Sequence, residues 1–171
     1  MRRSYFAIII ICLVLWSCQE ETTRKKEYLR WVGDIEQNDE IDEAEFKICN
    51  GDENILQYFN LSKGAVYKGE KSRIIDLFAS DYKPVTGKNE SGFIRIRFVV
   101  NCEGKPGRYR VLQSDENYQE KEFDEEIISQ LLGITKSIEK WEVLDRDGFP
   151  VDYYMYLIFK IKDGRILEIL P

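Results

Sequence analysis

Two stretches of strict alternation constrain this chain most. In residues 93–100, Ile94, Ile96, Phe98 and Val100 take one side, and Arg95 and Arg97 take the other. In residues 151–161, Val151, Tyr153, Met155, Leu157, Phe159 and Ile161 share one face, opposite Asp152, Tyr154, Tyr156, Ile158 and Lys160. A period of two places successive side chains on opposite faces, so each stretch predicts a half-buried strand. Glu103-Gly104-Lys105-Pro106-Gly107 supplies a turn after the first, and a second strand at about 108–113 completes a hairpin. Asp145-Arg146-Asp147-Gly148 is a turn before the long strand. Lys162-Asp163-Gly164 turns the chain again, and Ile166 and Ile169 mark a short last strand.

Two other segments carry the helical period. Residues 70–82 place Ile74, Ile75, Phe78 and Tyr82 at three- and four-residue spacing and stop before Pro84. Residues 120–138 set Phe123, Ile127, Leu131, Ile134 and Ile138 on one stripe, widened by Ile128 and Leu132. Asp115 or Asn117 is expected to cap that helix. Glu122, Asp124, Glu125 and Glu126 crowd its first turns, where the helix dipole favours acids. Neighbours on one solvated helix do not face each other across a cleft, as glycoside hydrolysis requires. The elements predict an α+β domain over residues 69–171. It is a small antiparallel sheet packed against one or two helices, with a ββαβ core, an extra N-terminal helix and a short C-terminal strand.

The N-terminus reads as an export signal. Arg2 and Arg3 precede an apolar run over residues 5–16, which is shorter than the ~20 residues a membrane-spanning helix needs. The end of that run, Leu15-Trp16-Ser17-Cys18, resembles the lipobox of bacterial lipoproteins. The resemblance implies a signal peptide over residues 1–17, cleavage before Cys18, and acylation of Cys18 with palmitate-type chains. Gln19 follows the cysteine, which by the same resemblance implies the outer membrane, on its periplasmic or cell-surface face. Several acyl chains give a stable anchor. Residues 18–30 are the lipidated cysteine and a polar, flexible tether.

Residues 31–68 are an acidic, largely irregular arm expected to pack on the domain. Asp34, Glu36, Asp39, Glu40, Asp42, Glu43 and Glu45 crowd it, without the spacing or the glycine of a calcium loop. Trp31, Val32, Ile35, Ile41 and Phe46 are expected to pin it down.

Composition narrows the function classes. The chain has no histidine, which removes the usual general base, the usual zinc ligand and the centre of the common hydrolase triads. We therefore expect a non-enzyme without metal or cofactor. Loss of Arg2 and Arg3 leaves 23 basic against 31 acidic residues, a net charge of −8. That charge disfavours nucleic acid and adsorption to anionic lipid. Cys12 departs with the signal and Cys18 takes the lipid. Cys49 and Cys102 are then expected to pair in an oxidising compartment; the alternative is two buried thiols.

The order of elements and its landmarks resemble the C-terminal domain of the TonB family. Ser91 to Val100 is similar to the family's glycine-led first strand, and Gly104 to Ser114 to its turn and second strand. Phe123-Asp124 opens the helix, Trp141-Glu142 gives the aromatic after it, and Tyr156 to Ile161 resembles the last long strand. The likeness covers residues 69–163. It implies capture of an extended peptide added as a strand to a sheet edge. A tether of about ten residues reaches at most roughly 35 Å, too short to span the periplasm, so energy transduction is not expected. Residues 165–170 are expected to fold back on the long strand and guard its edge.

Candidate surface residues follow from the strands. Arg95, Arg97, Arg108 and Arg110 form a basic stripe that either meets an acidic partner or solubilises an outer face. Tyr154 and Tyr156 are candidate contacts beside it, while Tyr153 belongs to the core. The function expected is a lipid-anchored envelope module that binds an unidentified envelope protein or peptide. The alternatives are a carboxylate-based enzyme acting on envelope polymers and a purely structural lipoprotein.

Overall fold

The computed structural model describes residues 33–58, 67, 70–85, 90–139 and 141–170. Cys18, the predicted signal segment and tether, Trp31 and Val32 lie outside the described residues. The elements are β1 (Leu56–Gln57), α1 (Glu70–Asp81), β2 (Gly92–Val100), β3 (Pro106–Ser114), α2 (Glu125–Lys136), β4 (Leu144–Arg146), β5 (Phe149–Val151), β6 (Tyr153–Lys162) and β7 (Arg165–Leu170).

The fold is α+β, with one five-stranded sheet ordered β1-β6-β2-β3 and β7 also on β6. Both alternating stretches become central strands: β2 runs antiparallel to β3 on one side and to β6 on the other. The sheet is mixed, because Leu56 and Gln57 pair in parallel with Tyr153 and Tyr154. β4 and β5 form a separate hairpin where the sequence predicts only a turn. Asp152 interrupts the run between β5 and β6, so the long strand starts later than its alternation does.

Apolar alternation supplies the inner core. Ile94, Ile96, Phe98 and Val100 of β2 and Tyr153, Leu157, Phe159 and Ile161 of β6 are buried against Ile74 and Phe78 of α1 and Ile127 and Leu131 of α2. Each fully buried aliphatic or aromatic side chain stabilises the fold by roughly 1.5–3 kcal/mol. Phe78 meets Phe159 at 4.7 Å between ring centroids, and Phe98 meets Trp141 at 5.1 Å. α2 is capped by Asp124, whose carboxylate accepts the Glu126 N–H. Asp115 instead shapes the preceding loop, accepting the N–H groups of Asn117 and Gln119.

The turn between β6 and β7 uses left-handed residues, Asp163 at φ 49° and Gly164 at φ 70°. It is clasped by the segment after α1. Val85 N–H and the Tyr82 hydroxyl donate to the Gly164 carbonyl, and Gly164 N–H donates to Glu90. A side chain at Gly164 would run into the Val85 carbonyl oxygen.

The arm forms a second layer on the outer sheet face. Ile35, Ile55, Phe46 and Ile48 pack with Val99 and Tyr154. Phe46 lies so close to Gly107 that a Cβ there would overlap its ring. Ile41 does not pin the arm, being 60% exposed. The sheet is therefore covered on both faces at this end, and Arg95 and Arg97 are each only 6% exposed.

Candidate functional site

The four arginines do share one face, and the acids that meet them belong to the same chain. Arg97 donates to the Gly33 carbonyl. Arg108 donates through Nε to Gln37 (2.7 Å) and through Nη1 to Asp52 (2.6 Å) and the Ile35 carbonyl (3.3 Å). Arg110 grips both carboxylate oxygens of Asp42, each at 2.7 Å, and the Glu36 carbonyl. Such forked, charge-assisted bonds are stronger than neutral ones. They hold the Asp42 carboxyl below its usual range.

Arg108 sits at φ 54°, in the left-handed region. Register slips there, so that Arg108 and Tyr109 together oppose the single residue Phe98. That bulge re-aims Arg108 at the arm.

Arg95 lies 4.0 Å over the Tyr156 ring, and Tyr58 stands edge-on to the same ring at 5.6 Å. Burial, then the Tyr156 hydroxyl, pushes the Tyr58 hydroxyl up to about 12. Tyr154 donates to Asp34 (3.3 Å). Of the six candidate surface residues, Arg95, Arg97, Arg108 and Tyr154 are buried, and Arg110 and Tyr156 are partly so. The arm covers most of this face, and Arg110 and Tyr156 keep part of their surface exposed.

Cys49 and Cys102 are joined, with Cα atoms 6.0 Å apart. Beside the bridge lies a residue that sequence reasoning passed over. Asp152 is fully buried. Its carboxylate accepts the N–H groups of Cys49 (3.1 Å), Asn50 (2.9 Å) and Cys102 (3.0 Å), and the Asn50 side-chain amide (3.1 Å). The two sulfurs and this carboxylate lie within 4.8 Å of one another. The sulfurs are bonded to each other and the carboxylate oxygens are filled by N–H donors, so the group is a structural knot. A single acid just before the long strand, in a run otherwise apolar from Phe149 to Phe159, was the one signal pointing to it.

Sheet edges remain. The outer edge of β6 is taken by β1 at residues 153–154 and by β7 at residues 158–162. The tail thus folds back on the long strand. Among the described residues, the free edges belong to the two-residue β1, to β3 and to β7.

At β3, Lys121 N–H reaches the Gln113 carbonyl (3.5 Å) and Asp115 N–H the Gln119 carbonyl (2.8 Å), so both residues turn away from β2. Alternate residues of a strand face the same way, so Val111 also turns its N–H and C=O outward. Neither has a backbone partner among the described residues. A slot of about 390 Å³ lies along this edge. Ile41 and Glu43 of the arm form one wall, and Leu132 and Lys136 of α2 the other.

Glu125 and Glu126 are exposed in the first turn of α2 and do not face each other across this slot. No helix among the described residues is long and apolar enough to cross a membrane. No family model, curated protein or solved structure matches the chain.

Proposed function

We propose that this chain is a non-catalytic binding module of the bacterial cell envelope. Acylated Cys18 holds it at the outer membrane, and it captures an extended protein segment as an added strand on β3. The observation that carries this reading is the recessed β3 edge, where Val111 offers an outward N–H and C=O between two walls. Strand addition takes its affinity from main-chain bonds and its specificity from alternate side chains. Leu132, Tyr109 and Val111 favour apolar residues on the α2 side. The likeness to the TonB C-terminal domain supports the mode of binding. The edge differs, because β7 occupies part of the strand that family would use.

Two experiments test the reading. A photo-crosslinking side chain at Leu132 of the full chain in intact cells is expected to trap one partner segment. Val111→Pro removes only an outward N–H, which an edge strand tolerates. It should abolish the adduct while the Cys49–Cys102 bridge still forms. An adduct that survives Val111→Pro rules out strand addition at β3, and no adduct from Leu132 or Ile41 rules out the slot.

Anchoring is tested separately. Cys18→Ala should eliminate metabolic fatty-acid labelling of the protein. Persistent label removes the lipoprotein reading.

A further inference from the structure

We infer that the free edge of β7, with the groove beside it, is a contact between two copies of this chain. The groove, of about 520 Å³, runs between α1 and β7 and is lined by Ile75, Ala79, Ile166 and Leu167. Ile75 is 41% exposed and Leu167 62%, so two large apolar side chains flank an edge that has no strand partner among the described residues. Exposed apolar edges of this kind invite pairing unless something covers them.

The pairing of β6 with β7 says what covers this one. Arg165 lies opposite Lys162 and Glu168 opposite Lys160, while Ile166 and Ile169 lie opposite Ile161 and Phe159. Leu167 is the extra residue of a bulge between Ile166 and Glu168. The bulge therefore puts Arg165 and Glu168 on the same outer face, as though two positions apart, with Ile166 between them on the inner face. A second β7 laid antiparallel about a two-fold axis at Ile166 brings each Arg165 opposite the second copy's Glu168. The two Ile166 side chains meet on the inner face, below the paired Ile75 residues. Opposite charges facing across strands favour this register, and like charges would oppose it. The strand is self-complementary, and a two-fold dimer uses one patch twice.

The test uses the full chain in intact cells. A benzoylphenylalanine at Leu167, and separately at Ile75, should on irradiation give a covalent species of twice the chain's mass, composed of this chain alone. Arg165→Glu or Glu168→Arg alone places like charges face to face and should reduce that species at least tenfold. The double variant R165E/E168R restores opposite charges and should restore it. Formation of the Cys49–Cys102 bridge in each variant controls for folding. Monomer only from both positions overturns the inference. So does an adduct to a different protein, which would assign the edge to another partner. A dimer indifferent to the charge swaps overturns the register. None of these outcomes touches the β3 slot.

Discussion

Asp152→Ala should lower the unfolding free energy by about 3–5 kcal/mol, the range for breaking a buried charged network by removing one member. The loss comes from the groups left behind. Three main-chain N–H groups and the Asn50 amide all converge on this carboxylate. Alanine offers them no acceptor, and each buried, unsatisfied donor costs about 1–3 kcal/mol. Partial exposure of the Cys49–Asn50 turn lets water recover some of it, which keeps the total below the sum. Asp152→Asn should not rescue the loss. Its oxygen can replace one carboxylate oxygen, but its NH2 would then face donors. Urea melts of wild type and both variants, with the bridge oxidised throughout, check this. A shift under about 1 kcal/mol for Asp152→Ala would mean that solvent already serves those N–H groups.

Periodic elements were the legible part of the sequence. β2, β3, α1, the Asp163-Gly164 turn and the returning tail stand where alternation, helical spacing and turn residues put them, while α2 covers only Glu125–Lys136 and leaves Phe123 and Ile138 of its expected stripe outside the helix. Each is a local pattern, with the physical cause within a few residues. What the sequence hid was the second layer.

Arg95 and Arg97 alternate with apolar residues, the usual pattern of a half-solvated strand, yet both are buried. The cause lies some 60 residues away, in an arm whose irregular backbone has no period to read. Its apolar residues Ile35, Phe46 and Ile55 are too scattered to signal a layer, although they build a second core. The acids did stand out as a run. Pairing Asp42 of that run with Arg110, and Asp52 beyond it with Arg108, needed the tertiary structure, since charge alone fixes neither partner nor geometry. β1 is two residues long, too short to carry a strand signal. The β3 slot escaped notice for the same reason as the arm: one of its walls is the arm.

Removing the bridge is the second large expectation, and its outcome says what the arm is. The double variant Cys49→Ala/Cys102→Ala should lose about 4 kcal/mol, the chain-entropy value for a loop of this length. The two cysteines are 53 residues apart. On that account the loss sits in the unfolded chain, so the folded arm should stay docked. The contacts that would keep it there do not involve sulfur. Asp152 holds the main chain at residues 49 and 50, Arg110 holds Asp42, and Arg108 holds Gln37 and Asp52. Hydrogen exchange separates the two cases. Amides of residues 34–55 that keep their protection relative to the β2 and β6 core, while the urea midpoint falls, place the effect in the unfolded state. Arm amides that exchange freely while the core stays protected would make the bridge a staple on the native state. The arginine face would then be open whenever the bridge is reduced. Combining the variant with Asp152→Ala sharpens the distinction, because the carboxylate contacts both bridged residues. The two losses should then fall short of additivity, by the coupling expected for groups in direct contact, about 0.5–3 kcal/mol.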